Sequence, residues 1–154
     1  TVTPASLTLA AGQSSSGALA VNSNLADGRY TLTVSATDAD GVAPNHGTSG
    51  QGSATLTVDG TPPSVPTGLK GSVDRQGRIS LSWLVSSDAL SGGAGYTVYR
   101  NGAAIGQVVS ASYTDTTAVA ATTYDYTVDA RDVAGNVSAV SGKVTVTASK
   151  PGKK

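Results

Sequence analysis

His46 is the only histidine in the chain, so chemistry that needs an imidazole must run through it. A Ser-His-Asp relay holds a histidine between a serine and a carboxylate. His46 instead lies in a glycine-rich loop with no Gly-x-Ser-x-Gly around it, and it reads as an exposed loop residue. Zinc needs three or four good nitrogen or sulfur ligands, and a chain with no cysteine and one histidine cannot supply them. All ten acids are aspartates. A glycosidase pair could be built from aspartate, but most aspartates here occupy turn contexts, where their side chains bond to nearby backbone. Two oxygen-rich clusters remain: Asp38, Asp40 and Asn45, then Asp129, Asp132 and Asn136. Calcium takes six to eight oxygens, and each cluster could offer three. Neither has the spacing of an EF-hand, and ordinary turn chemistry is the favoured reading of both. Calcium is thus the one cofactor the sequence leaves room for, first at Asp38, Asp40 and Asn45.

A sugar platform would need exposed aromatic rings in a row. Trp83 alternates with Ile79 and Leu81 and points inward. Tyr99 and Tyr126 are expected to be partly exposed, and two tyrosines make a poor platform. Asn136-Val-Ser138 matches a glycosylation sequon, which matters only in a glycosylating host. No catalytic set emerges.

The elements that hold these residues are short strands. Gly, Ser, Thr, Ala and Val dominate 154 residues, a strand-and-turn composition. No window carries a helical apolar stripe, and none approaches the ~18 apolar residues of a membrane span. The formal net charge is zero, which gives no reason to expect nucleic acid or an anionic membrane as partner. Without methionine the chain is expected to be a processed or excised product. Lys150, Lys153 and Lys154 form a basic tail over 149–154.

Tyr124, Tyr126, Val128 and Ala130 alternate with Asp125, Thr127, Asp129 and Arg131, the period of a half-buried strand. Val133 to Asn136 then reads as a turn. In the first half, Ser6 to Leu9, Gly17 to Val21, Arg29 to Ala36 and Ser53 to Val58 read as strands. Thr37 to Gly52 reads as a long loop. Three prolines within Asp59 to Pro66 preclude sheet pairing and mark a linker over 60–66. Beyond it, Leu69 to Val73, Arg78 to Leu84, Tyr96 to Arg100, Ala103 to Val109, Ser112 to Asp115, Thr123 to Ala130 and Lys143 to Ala148 read as strands. Asn101-Gly102 is the strongest hairpin signal. About seven strands in this span suit a β-sandwich.

Residues 62–148 resemble a bacterial fibronectin type III domain. The likeness rests on Pro-Pro-Ser-Val-Pro-Thr-Gly-Leu69, Ile79-Ser-Leu-Ser-Trp83, Gly95-Tyr-Thr-Val-Tyr-Arg-Asn-Gly102, Tyr113-Thr-Asp115, Thr123 to Ala130 and Asp132-Val-Ala-Gly-Asn136. It implies that Trp83 is the core tryptophan and that Tyr124 is the tyrosine of the corner motif, bonded back to backbone. No Arg-Gly-Asp occurs. Residues 1–59 look like part of a bacterial immunoglobulin-like accessory module. That similarity rests on Val2 to Gly12 and Gly28 to Asp38.

The resemblance implies two tandem β-sandwiches, 1–59 immunoglobulin-like and 67–148 fibronectin type III. It implies a non-catalytic accessory or spacer region of a secreted bacterial hydrolase, a protease or a polysaccharide-degrading enzyme, with weak binding of a polysaccharide or protein substrate or of a surface. The alternative is a subunit of an extracellular adhesin stalk or fibre, assembled by strand addition. The first segment has only four or five strands where a sandwich needs about seven. Its open edges are expected to be completed by another part of the parent protein or by a second copy of the chain.

Overall fold

A computed structural model describes residues 24–36 and 50–149, and there is no helix among them. In the first segment, β1 (Gly28–Ala36) and β2 (Gly50–Val58) pair antiparallel from Gly28↔Val58 to Ala36↔Gly50. Arg29, Thr31 and Thr33 face solvent, while Tyr30 and Leu32 are half-buried, as the alternation demands. Pairing on β2 begins three residues before the sequence signal at Ser53. Gly50, Gln51 and Gly52 offer little apolar pattern, but their backbone groups pair with β1 all the same. The segments at 6–9 and 17–21 that read as strands lie outside the described residues.

The second segment has seven strands: β3 (Thr67–Val73), β4 (Ile79–Leu84), β5 (Gly93–Arg100), β6 (Ala103–Val108), β7 (Ser112–Asp115), β8 (Thr123–Asp132) and β9 (Val144–Thr147). They form a three-stranded sheet in the order β3-β4-β7 and a four-stranded sheet in the order β6-β5-β8-β9. The inward-facing residues of both sheets make one core: Ile79, Leu81 and Trp83 from β4, Tyr96 and Val98 from β5, Tyr124, Tyr126, Val128 and Ala130 from β8, and Val146 from β9. Tyr126, expected to be partly exposed, has no accessible surface. It stands on the same side of β8 as Tyr124 and Val128, and that side faces the core.

Turn chemistry closes the strands as the sequence suggests. Asn101 and Gly102 have φ of 52° and 82°, the two positive angles of a type I′ turn. Asn101 Oδ1 accepts the Asp125 N–H at 2.9 Å, which ties the hairpin to β8. The hydroxyl of Tyr124 accepts the Val119 N–H at 3.1 Å, a bond back to backbone. After β8 the chain keeps to that strand through backbone and side chain together: Ser138 and Ser141 N–H donate to the Ala130 and Val128 carbonyls at 2.8 Å, and their hydroxyls accept from Ala130 and Val128 N–H at 3.0 and 3.1 Å.

At Gly106 on β6, an added Cβ would lie 2.6 Å from Cε2 of Tyr113, whose hydroxyl donates to the Ile105 carbonyl. The ring has to move to admit a methyl group. Gly106→Ala is expected to destabilise by ~1–3 kcal/mol, as overpacking does. A denaturation midpoint equal to that of the parent chain would refute this packing.

Candidate functional site

The feature richest in chemistry is the joint where the linker meets the loops of the second segment. Asp59 ends the first segment. Asp88 lies in the loop between β4 and β5, and Asp132 closes β8. One carboxylate oxygen from each lies within 4.8 Å of the other two. Three anions this close repel one another, so each must be held by donors. Asp88 Oδ1 accepts the Leu90 and Gly92 N–H at 3.1 and 2.7 Å. Asp132 Oδ1 accepts the Gly135 and Asn136 N–H at 2.7 and 2.8 Å. Asp59 accepts the Thr61 and Ser91 N–H, one on each oxygen, at 3.0 and 3.1 Å. Hydrogen bonding from the Ser91 side chain, with the Thr61 and Ser91 backbone bonds, holds Asp59 below the usual carboxylate range despite partial desolvation.

Asn136 binds the joint together. Its Nδ2 donates to the Asp59 carbonyl at 3.0 Å and to Asp132 Oδ2 at 2.8 Å. The amide nitrogen that a glycan would need is therefore engaged in structure. Around this centre, Asp27 receives the Gly60 N–H and the Thr61 hydroxyl at 2.8 and 2.6 Å. Arg29 Nη2 donates to the Leu90 carbonyl at 2.8 Å. Ser64 and Ser87 exchange backbone and hydroxyl bonds at 2.9 and 2.8 Å. The prolines explain why the linker lacks sheet pairing, and these bonds fix where it runs.

The aspartates of the sequence clusters are distributed otherwise. Asp38, Asp40, Asn45 and His46 lie outside the described residues. Asp132 and Asn136 come together as their spacing suggests, but Asp129 does not join them. It stands on the outer face of β8, where its Oδ2 accepts the Tyr99 hydroxyl at 2.7 Å. The partners of Asp132 are Asp59 and Asp88, distant in sequence. Their only sequence signal is an acid beside glycine or serine in a turn. Among the described residues these three aspartates are the ones placed to hold a divalent cation. They would supply three of the six to eight oxygens that calcium takes, the rest coming from carbonyls and water.

No protein-family model matches the chain. It is 43% identical over 125 residues to exoglucanase B of Cellulomonas fimi, covering 79% of this chain and 12% of that protein. It is 46% identical over 100 residues to chitinase Chi52 of Paenibacillus xylanexedens, covering 65% of this chain and 19% of that one. A poly(3-hydroxybutyrate) depolymerase of Ralstonia pickettii is 39% identical over 84 residues, 54% of this chain and 16% of that one. The chain thus spans less than a fifth of the length of each of these relatives. Among solved structures, the FN1–FN3 domains of chicken CNTN1 superpose with a TM-score of 0.50 at 16% identity, covering 80% of this chain and 57% of that one.

The second segment has the fibronectin type III fold. Titin domains A168–A170 match with a TM-score of 0.53 at 23% identity, covering 80% of this chain and 41% of that one. Both structural likenesses, and the 125 residues aligned with exoglucanase B, extend further than residues 60–154 can account for. The likeness to exoglucanase B therefore reaches back across the joint into the β1–β2 segment.

Proposed function

We propose that this chain is a non-catalytic spacer of a secreted, extracellular bacterial enzyme that degrades polysaccharide. In this reading residues 1–59 belong to an immunoglobulin-like sandwich, 60–66 are the linker, and the acidic joint sets the angle between that sandwich and the fibronectin type III domain. The carrying observation is that one kind of segment recurs as a small part of an exoglucanase, a chitinase and a polyester depolymerase. A segment shared by enzymes with such different substrates cannot carry the turnover of any one of them. Its common service is to connect and to hold domains apart. The other domains of the parent protein are its first partners.

Two measurements test this. The purified chain, incubated with cello-oligosaccharides, chito-oligosaccharides and casein, is expected to release no product. Turnover that survives repurification would overturn the reading. The chain has no cysteine, so spin labels can be placed cleanly at Thr33→Cys and Ala103→Cys, one in each segment. The distance between them is expected to be narrowly distributed. Asn136→Ala removes both side-chain bonds to Asp59 and Asp132, and should broaden the distribution severalfold while the melting temperature changes little. Equal widths in both proteins would show that the joint does not set the angle.

A further inference from the structure

The outer face of the four-stranded sheet carries an arrangement that neither the spacer role nor the core explains. Asp129 points to that face and yet is only 4% exposed. Its cover is Tyr99, two residues along the neighbouring strand from Thr97, the register partner of Asp129. For the Tyr99 hydroxyl to reach Asp129 Oδ2 at 2.7 Å, the ring must lean along the sheet rather than stand up from it. Asp129 Oδ1 also takes the Thr97 N–H at 3.3 Å. The bond to Asp129, then burial and the carboxylate charge, raise the Tyr99 pKa, so the phenol stays protonated and keeps donating. The result is a fixed aromatic surface on the wet side of the domain.

Next to it, Arg131 on β8 reaches across β5 to the Gln107 side chain on β6. On β5 the register partner of Arg131 is Gly95, which has no side chain, and that of Gln107 is Thr97. Gly95 is required there, since its φ is +151° and a Cβ would fall 2.6 Å from the Val108 carbonyl. Arg131 donates to a neutral amide, and none of the ion pairs among the described residues includes it. Arg131, Gln107, Val109 and Ser110 line an open hollow of about 540 Å³. A second hollow of about 230 Å³ shares Val109 and Arg131 but lies at the end of the sandwich, against Pro63, Val85, Ser86 and Tyr96. Hollows of a few hundred Å³ with convergent polar groups are the usual size of a small-ligand site.

We propose that this strip is a glycan-binding subsite, taking one or two pyranose rings of a β-linked polysaccharide. The apolar C–H face of a sugar packs on the leaning Tyr99 ring. Its hydroxyls accept from the Arg131 guanidinium, a rigid fork of donors with no acceptor. They donate to the carbonyl of Gln107 and exchange bonds with Ser110. An open hollow with one ring gives weak binding, which suits a spacer that follows its substrate surface without anchoring to it. The choice of glycan rests on the polysaccharide reading above.

The test is an amide chemical-shift titration of the labelled full chain with cellohexaose and, separately, N-acetylchitohexaose. At millimolar oligosaccharide, shifts are expected at Tyr99, Gln107, Ser110 and Arg131. Arg131→Ala should weaken binding about tenfold, the scale of one lost charge-assisted pair. Tyr99→Ala should abolish it, and Tyr99→Phe should retain it because the ring stays. Lys143→Ala, at a surface cation just before β9, should leave it unchanged. If neither oligosaccharide moves these amides, or if Arg131→Ala binds as the parent does, the subsite is overturned. Failure of binding in a chain that releases no product would leave the spacer reading standing. Turnover would overturn the spacer reading and not the subsite.

Discussion

Asp115→Ala is expected to remove ~3–5 kcal/mol of stability, the scale for breaking a buried charged pair from one side. Asp115 is 1% exposed and accepts four hydrogen bonds at 2.8 Å, from Thr117 N–H, Thr117 Oγ1, the Tyr126 hydroxyl and Arg100 Nη1. Truncation leaves the Tyr126 hydroxyl buried without its acceptor. It also leaves Arg100, stacked at 4.8 Å over the Tyr124 ring, without its counter-charge. Each loss costs more than a made bond gains, because a buried unpaired group keeps its full desolvation penalty. Burial alone would raise the Asp115 pKa, but the bonds from Thr117, Tyr126 and Arg100 outweigh it and hold the carboxyl below its ordinary value. A depressed folded-state pKa means that the stabilisation is complete above the unfolded value, about 3.9. It is lost as pH falls through the folded value. The parent chain should therefore lose stability between about pH 5 and pH 2, and Asp115→Asn should flatten part of that slope. Urea midpoints across this range decide it. A midpoint for Asp115→Ala within ~1 kcal/mol of the parent at pH 7 would show that the four bonds are not formed.

The sandwich was legible because its buried strands keep a strict period of two. Ile79, Leu81 and Trp83, and Tyr124 through Ala130, name their own inner face. The starts of β2 and β5 were not legible, since Gly50, Gly52, Gly93 and Gly95 have no side chain to report a face. Only their backbone pairing makes them strand. The joint was hidden for another reason. Asp59, Asp88 and Asp132 are turn aspartates of a common kind, and only the fold makes them neighbours. The strand aspartates take partners that alternation does not name. Asp115 accepts the hydroxyl of Tyr126 and Asp129 that of Tyr99, each from another strand. A local pattern gives the face a residue takes. It does not give the partner waiting there.

Trp83→Ala should be about as costly as the loss of Asp115, ~3–5 kcal/mol, the usual range for emptying a large aromatic site. Trp83 is 6% exposed near the end of β4 and meets Tyr96 edge-on, with ring centroids 5.3 Å apart at 71°. The neighbours cannot collapse into the space. Tyr96 is held by its hydroxyl, which accepts the Ser86 N–H at 2.9 Å. Ile79 and Leu81 are fixed by the pairing of β4 with β3 and β7. The same site makes a second, opposite expectation. The indole Nε1 is buried with no hydrogen-bond partner, and an unmet donor costs ~1–3 kcal/mol. Trp83→Phe gives up part of the packing but removes that donor, so the two effects nearly cancel. Its stability should lie within ~1.5 kcal/mol of the parent, far from that of Trp83→Ala. If phenylalanine proves as damaging as alanine, the indole nitrogen has a partner in solution and the centre of the core is polar there.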